Sequence, residues 1–170
     1  MEMSKARTGA LIVLEREIKI QDIVSTGILM NAEISPQVLV NIFTPKTPLH
    51  DGAVVISDNK ITAAACMLPL ASDKDIAREL GTRHRAAIGI SKESDAIAVV
   101  VSEETGKISV AKDGTLYADL KEETLKKILI KNMVVSRFGT DKNGNKIAKI
   151  KNKINKETKE ESENEKGDKI

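Results

Sequence analysis

Residues 48–68 read PLHDGAVVISDNKITAAACML, and this stretch predicts two β-strands joined by a tight turn. The runs AVVIS and ITAAACML are apolar, short and bounded by turn residues, as strands usually are. Asp58 and Asn59 between them are typical of hairpin turns. The polar residues His50, Asp51 and Gly52 come directly before the first strand. The stretch therefore predicts a hairpin with a polar cluster at its edge.

Short apolar runs and helical patterns alternate on both sides of this hairpin. Upstream, GALIVLERE at residues 9–17 predicts a buried strand that enters solvent near Glu15. A helix is predicted to begin after Ser35, which suits the N-cap, and to stop before Pro45. Downstream, the patterns predict a helix over 73–80 ended by a left-handed Gly81, a second short helix, strands within 95–102, 106–112 and 114–120, and a final helix over 121–134. Together they predict an α/β fold with a mixed, mainly antiparallel central β-sheet flanked by α-helices.

The composition indicates one folded domain followed by a charged tail. The chain has 170 residues, 41% of them hydrophobic, which is enough for a single core. We expect the domain to span residues 1–140. Residues 141–170 contain nine lysines and seven acidic residues, and this composition is typical of disordered segments. The whole formal net charge of +2 lies in this tail, because residues 1–140 have 18 basic and 18 acidic side chains.

The same composition argues against several classes of protein. Residues 1–140 offer no excess of basic charge for a nucleic-acid backbone, and three aromatic residues in the chain offer little on which bases could stack. No apolar run approaches the ~18 residues of a membrane-spanning helix, and the first ten residues do not resemble a secretory signal. The single cysteine, Cys66, lies in an apolar run, which fits a reducing cytoplasm and predicts neither disulfides nor a thiolate metal cluster.

Three polar clusters lie at the edges of apolar elements and could carry chemistry. They are LHDGA at residues 49–53, GTRHR at 81–85 and SEETG at 102–106. Each also has a structural interpretation. Asp-Gly pairs and the third cluster suit turns, a lone histidine is often a hydrogen-bonded structural residue, and arginines are often solvated loop charges. Taken singly, the clusters leave these alternatives open.

Taken together, the clusters favour a site for phosphate and metal. If Thr82 caps a helix, the free N–H groups at the helix start attract phosphate, and Arg83 and Arg85 add fork-shaped donors. Carboxylates repel a triphosphate, so Asp51 and a glutamate could share a pocket with one only if a divalent cation lay between them. Carboxylate oxygens with His50 suit Mg²⁺ or Mn²⁺, with Co²⁺ as a further candidate, better than a thiolate zinc site.

In this order, PLHDGA at residues 48–53, GTRHRAA at 81–87 and VSEETG at 101–106 resemble the motif set of the diadenylate cyclase domain family. The similarity extends from about Gly9 to Val135 and is greatest to the membrane-associated branch of that family. The resemblance implies the diadenylate cyclase domain fold. It also implies the condensation of two ATP molecules into cyclic di-AMP with a divalent metal.

The resemblance further implies roles for individual residues. Asp51 would bind the metal or help to deprotonate the ribose 3′-hydroxyl, with His50 and Glu104 as further metal ligands. Gly52 would let the backbone approach ATP without a Cβ, and Leu68 would pack against adenine. The implied catalytic residues are Asp51, Gly52, Thr82, Arg83 and His84. The implied ATP-binding residues are Asp51, Gly52, Ala53, Leu68, Gly81, Thr82, Arg83, His84, Arg85, Ser102 and Glu103.

A two-fold homodimer is the expected catalytic unit. Cyclic di-AMP contains two identical linkages, so each ATP could present its 3′-hydroxyl to the α-phosphate of the other. Two other functions stay open: a non-catalytic sensor of ATP or cyclic di-AMP with the same fold, and an interaction module that acts through the tail. The resemblance to the membrane-associated branch implies a cytoplasmic domain of a protein anchored by N-terminal helices outside this sequence, with a membrane-anchored regulator as a further partner.

Overall fold

The computed structural model of the chain describes residues 1–72 and 80–134, and seven strands in these residues form one sheet. The strands are β1 Ala10–Leu14, β2 Ile28–Glu33, β3 Ala53–Ser57, β4 Lys60–Cys66, β5 Ile97–Val101, β6 Ile108–Lys112 and β7 Thr115–Tyr117. Their spatial order is β2-β4-β3-β1-β5-β6-β7. Strands β1 and β3 are parallel, and the other neighbouring pairs are antiparallel. The predicted mixed, mainly antiparallel sheet is confirmed.

Helices precede, separate and follow these strands. Within the described residues they are α1 Glu2–Lys5, α2 Gln21–Val24, α3 Pro36–Ile42, α4 Thr82–Glu93 and α5 Glu122–Leu129, with a π-helical turn over Ile130–Val134. None of these helices is long and apolar enough to cross a membrane. The chain divides into two units, Met1–Leu125 and Lys126–Ile170, and the sheet and the site lie in the first. The predicted domain boundary at residue 140 and the disordered tail over 141–170 lie outside the described residues and stay predictions.

Both faces of the sheet are buried, because successive side chains of a strand point to opposite sides. On one face, Leu11 and Val13 of β1 belong to a core cluster that includes Ile90 of α4. On the other face, Ala10 of the same strand belongs to a second cluster that includes Phe43, directly after α3. Helices therefore cover both faces, as the sequence predicts.

Two local predictions are confirmed by hydrogen bonds and backbone angles. The hydroxyl of Ser35 accepts a hydrogen bond from the N–H of Val38 at 3.2 Å, and Pro36 occupies the first turn of α3. Between β3 and β4, Asp58 and Asn59 have φ values of 49° and 61°, which are the left-handed angles of a tight hairpin turn. The hairpin therefore forms where the turn residues place it.

Other local predictions were wrong or lie outside the described residues. Gly81 does not end a helix in a left-handed conformation. It has φ −66° and ψ 169° and is the N-cap of α4, so Thr82 is the first helical residue rather than the cap. The preceding helix was predicted over residues that are mostly in the undescribed segment 73–79. Strand β2 was not predicted, because Asn31 has a φ of 46° and a register shift interrupts its alternation.

A buried carboxylate fixes the loop after β1. The side chain of Glu15 is 5% exposed and accepts hydrogen bonds from Ser57 Oγ at 2.6 Å, Lys19 Nζ at 2.7 Å and the Ile20 N–H at 3.0 Å. Burial alone would raise the pKa of Glu15. These hydrogen bonds together outweigh burial, so the pKa lies below its ordinary value. The carboxylate thus ties the end of β1 to the end of β3.

We predict that Glu15→Gln lowers the free energy of unfolding by about 1–3 kcal/mol near neutral pH, because an amide cannot satisfy all three donors. A depressed folded pKa means that the stabilisation is present above the pKa of the unfolded carboxyl and is lost as the pH falls through the folded pKa. The difference between the two proteins should therefore shrink as the pH falls below 4.5, the ordinary pKa of the carboxyl. Urea denaturation across this pH range measures it, with exposed Glu17→Gln as the control. A loss independent of pH would contradict the assignment.

Candidate active site

A cavity of about 710 Å³ lies at one end of the central strands, which is called here one edge of the sheet. Strands β1 and β3 are parallel and begin at this edge, whereas β4 and β5 run the other way and end there. Side chains next to these strand ends therefore meet although they are far apart in sequence. Seven predicted site residues line the cavity: His50, Asp51, Gly52, Leu68, Thr82, Arg83 and Glu103. Nine residues that were not predicted also line it: Gly9, Leu11, Phe43, Pro45, Ala65, Cys66, Met67, Leu70 and Ala86.

His50 and Asp51 present two potential metal-ligand atoms side by side. The Nδ1 atom of His50 lies 2.6 Å from the carbonyl oxygen of Thr47. A carbonyl can only accept a hydrogen bond, so Nδ1 is the nitrogen that donates, and Nε2 is the ring atom left to bind a metal. Nε2 is 3.7 Å from Oδ1 of Asp51, whose side chain is 87% exposed. Two such atoms at this separation can bind one cation between them.

The donor set fits a divalent cation only in part. No group of three His, Cys, Asp or Glu side chains that could hold a metal is present in residues 1–72 and 80–134. A cation held by His50 and Asp51 would therefore need further oxygen ligands from water, a bound phosphate or another chain, as is usual for Mg²⁺. Cys66 in the cavity wall is not a candidate ligand, because burial raises the pKa of its thiol to about 11.

Arg83 and Glu103 form an ion pair across the start of β1. Nη1 of Arg83 is 2.7 Å from Oε2 of Glu103. A Cβ at Gly9 would lie 2.8 Å from Nη1 and 2.9 Å from Oε2, so any larger residue there would push the ends of these two side chains aside. Nε of Arg83 is buried and has no hydrogen-bond partner within the described part of the chain. The guanidinium group therefore has one buried donor that is unused within the described residues.

The Arg83-His84-Arg85 motif is divided by the geometry of α4. Successive residues of a helix point about 100° apart, so the three side chains leave α4 in different directions. Arg83 lines the cavity, whereas Nε2 of His84 is 3.4 Å from the hydroxyl of Ser109 on β6. The side chain of Arg85 donates a long hydrogen bond from Nη2 to the carbonyl oxygen of Ala71, at 3.5 Å. Burial lowers the pKa of His84, which favours a neutral ring. The predicted ATP contacts of His84 and Arg85 stay predictions.

Four further predicted residues lie near the cavity without lining it. Ala53 is buried in β3, and Gly81 precedes α4. Ser102 begins a turn in which its hydroxyl accepts a hydrogen bond from the N–H of Thr105 at 3.2 Å, and Glu104 is an exposed residue of that turn. Gly106 closes the turn with a φ of 73°, as the structural interpretation predicts. The turn and the site coexist, because Glu103 in the same loop lines the cavity.

Gly52 is required for a reason that the sequence did not reveal. Its φ is 96°, and a Cβ would lie 2.8 Å from the carbonyl carbon of Ala65 and 2.8 Å from the carbonyl oxygen of Cys66. Gly52 therefore packs closely against the backbone of β4, and because it also lines the cavity, its predicted close approach to ATP stays a prediction. The missing side chain allows the loop before β3 to pack directly on β4.

The lining residues that sequence reasoning missed come from several separate segments of the chain. Gly9 could have been found, because a glycine directly before a buried strand often marks a close approach of two chain segments. Phe43 and Pro45 follow α3, and Ala65 and Met67 lie at the end of β4. Nothing in their spacing indicates that they face one cavity. The tertiary fold brings these segments together at the cavity.

Comparisons with known proteins show clear relatives. The family described as DisA bacterial checkpoint controller nucleotide-binding matches residues 1–116. The cyclic di-AMP synthase CdaA of Bacillus subtilis (strain 168) is 54% identical over 127 residues, which are 75% of this chain and 46% of that protein. A diadenylate cyclase of Listeria monocytogenes (serotype 1/2a, strain 10403S) is 55% identical over 132 residues, 78% of this chain and 48% of that protein. The chain thus spans about half the length of these curated relatives.

Solved structures show the same fold. The crystal structure of a double mutant of DacA from Staphylococcus aureus superimposes with a TM-score of 0.76 and 51% identity, covering 77% of this chain and 87% of that one. A hypothetical membrane spanning protein from Bacillus cereus gives a TM-score of 0.68 and 48% identity, covering 71% of this chain and 59% of that one. The family match over residues 1–116 includes every strand and loop that lines the cavity.

Proposed function

The chain belongs to the family of DisA bacterial checkpoint controller nucleotide-binding domains, and we propose that it condenses two ATP molecules into cyclic di-AMP with release of two pyrophosphates. The observation that carries this proposal is the meeting of His50, Asp51 and Arg83 on one cavity. The relatives that share these strands and loops are described as a cyclic di-AMP synthase and a diadenylate cyclase. A nucleotidyl transfer between two ATP molecules is the chemistry that this combination of residues and relatives supports best.

The cavity suits one nucleotide in size and in the distribution of polar groups. About 710 Å³ lies within the range of ~300–1,000 Å³ that small-molecule sites occupy. Met67, Leu68 and Leu70 provide an apolar wall that can cover a purine base. Arg83 and the free N–H groups at the start of α4, near Thr82, can bind phosphate oxygens. We therefore propose that the base lies against the wall after β4 and the triphosphate lies towards α4.

We propose that the site works with a divalent cation held by Asp51 and His50, with Glu104 of the neighbouring turn as a further ligand. The donor chemistry favours Mg²⁺ or Mn²⁺, with Co²⁺ as a third candidate. When bound, such an ion would neutralise phosphate charge and polarise the hydroxyl that attacks. Asp51 would orient that hydroxyl and accept its proton, and Arg83 would stabilise negative charge on the phosphates.

Two copies of the chain are required by the reaction. One cavity holds one nucleotide, whereas the product contains two. In each half of the reaction, a ribose 3′-oxygen forms a bond to the α-phosphorus of the other ATP. The bond from that phosphorus to pyrophosphate breaks, and the hydroxyl proton leaves through the carboxylate of Asp51. Holding the two nucleotides face to face can contribute about 7–11 kcal/mol towards lowering the barrier. We therefore propose a homodimer that brings two loaded cavities together.

The proposed activity can be tested directly. Incubation of the chain with ATP and Mn²⁺, or Mg²⁺ in parallel, should produce cyclic di-AMP and pyrophosphate, both of which chromatography separates from ATP. The rate should increase more than proportionally with protein concentration if the productive dimer is weak. A chain truncated after residue 140 should keep this activity, which would exclude an interaction module acting through the tail. ATP binding without any cyclic dinucleotide, at any protein concentration, would instead identify a sensor.

One relative of known structure is described as a hypothetical membrane spanning protein. On that basis we propose that the domain works in the cytoplasm as part of a membrane-attached protein, where a membrane-anchored regulator could reach it. A chromosomally tagged full-length protein should then sediment with the membrane fraction. Recovery in the supernatant would contradict membrane attachment and leave the proposed reaction unaffected.

A further inference from the structure

Four successive residues, Ala65 to Leu68, line the same cavity, which a regular strand cannot achieve. In a strand, neighbouring side chains point to opposite faces. Ala65 has a φ of 54°, a left-handed angle that is uncommon for a residue with a Cβ. The pairing of β3 with β4 shifts at the same place, because Ala53 lies opposite Cys66 while Val55 lies opposite Ala63. A β-bulge at Ala65 therefore turns the end of β4 towards the cavity.

Two glycines pack against this bulge. A Cβ at Gly52 would lie 2.8 Å from the carbonyl carbon of Ala65. A Cβ at Gly27, in the turn between α2 and β2, would collide with Cys66 Sγ and would lie 2.6 Å from the carbonyl oxygen of Ala64. The turn before β2 and the loop before β3 thus both contact the bulge directly. An uncommon backbone angle persists where the surrounding structure holds it in this way.

The hydroxyl of Thr26 connects the same turn to the residue after β4. It accepts a hydrogen bond from the N–H of Met67 at 2.9 Å and donates one to the carbonyl of Ile23 at 2.7 Å. The hydroxyl therefore accepts one hydrogen bond and donates another, and the two bonds together fix its orientation. Met67 is 73% exposed, so its side chain has little packing of its own to hold it in place. The hydrogen bond that the N–H of Met67 donates to Thr26 supplies the restraint that packing does not.

We propose that Thr26 is a positioning residue that fixes the apolar wall against which the nucleotide base lies. This inference rests on the proposed function, because it assumes that ATP occupies the cavity. Thr26 does not line the cavity, whereas Met67 and Leu68 do. Its effect is transmitted through one backbone N–H, directly after the bulge. Loss of the hydroxyl would leave the residues that touch the phosphates unchanged and would loosen only the grip on the base.

The test compares Thr26→Val, which has nearly the same shape without the hydroxyl, with Thr26→Ser, which keeps the hydroxyl. In Thr26→Val the KM for ATP should rise about 3- to 10-fold, the effect of losing one hydrogen bond, while kcat stays within about 2-fold. The preference for ATP over GTP should fall, because a loose wall discriminates bases less well. Thr26→Ser should restore both values. Ser25→Ala is the matched control. The hydroxyl of Ser25 donates a hydrogen bond to the carbonyl of Asp22 within the same turn, so its loss does not affect Met67.

Calorimetric titration with ATP separates this inference from the proposed reaction. Weaker ATP binding by Thr26→Val, with an unchanged melting temperature, would support the positioning role even if no cyclic dinucleotide were formed. Wild-type KM and base preference in Thr26→Val would overturn it. A lower melting temperature with a lower kcat and an unchanged KM would also overturn it, since that result describes a purely structural role. Absence of ATP binding by the unmodified chain would overturn both this inference and the proposed function.

Discussion

Asp51→Asn is expected to lower the rate of cyclic di-AMP formation by about 10²- to 10⁴-fold, the usual effect of removing a general base. The change replaces one carboxylate oxygen by an NH₂ group and keeps the shape of the side chain. The side chain is 87% exposed, so the fold has little reason to respond. What is lost is the negative charge next to Nε2 of His50, and with it the proposed cation site and the proposed proton acceptor. The rate should be measured by chromatography at saturating ATP.

The matched control for this prediction is Asp58→Asn. Asp58 is also a highly exposed aspartate, and it lies in the β3–β4 turn at the far end of the strand that begins next to Asp51. Its left-handed φ of 49° is one that asparagine adopts readily. This variant should keep the unmodified rate. In addition, Asp51→Asn should need a higher Mn²⁺ concentration for its residual activity. Full activity in Asp51→Asn at the same Mn²⁺ concentration would remove Asp51 from the proposed mechanism.

The fold could be predicted where a local pattern specifies local structure. Ser35 and Pro36 predict the start of α3, and Asp58 and Asn59 predict the hairpin, because each acts within a few residues. Strand β2 could not be predicted, since its alternation is interrupted at Asn31 and only its pairing with β4 identifies it as a strand. In general, pairing with a neighbouring strand can stabilise a segment whose own strand propensity is weak. Such a strand cannot be predicted from the local sequence pattern.

The candidate site was predictable from its polar residues but not from its wall. Asp51 and Arg83 belong to short polar motifs whose chemistry can be stated without a structure. Met67 lines the cavity only because Ala65 adopts a left-handed angle, and no residue type demands that angle at an alanine. The motif around His84 is a different case. Its three neighbouring residues lie in different surroundings on α4, with His84 next to Ser109, and their predicted contacts with ATP stay predictions.

The Arg83–Glu103 ion pair raises the question of whether Arg83 binds phosphate or only holds its partner. The pair is short, at 2.7 Å, yet Glu103 is largely exposed, and exposed ion pairs contribute little to stability. The arrangement places a carboxylate beside the guanidinium before any nucleotide arrives. A triphosphate would have to share or displace that carboxylate. Comparison of variants at the two positions therefore distinguishes a phosphate ligand from a structural partner.

Arg83→Gln is expected to lower kcat by about 10²- to 10³-fold, the effect of removing one donor from developing negative charge in a closed site. Glu103→Gln keeps an oxygen that can accept the hydrogen bond from Nη1 of Arg83, so it should lose far less activity. If the ion pair mattered only structurally, the two variants would lose similar activity and similar stability. Lys112→Gln controls for the general loss of a positive charge. Lys112 is the last residue of β6, whereas Glu103 lies in the turn before the start of that strand. Steady-state kinetics and thermal unfolding of all three variants provide the comparison, and an Arg83→Gln enzyme with unmodified kcat would exclude phosphate binding by Arg83.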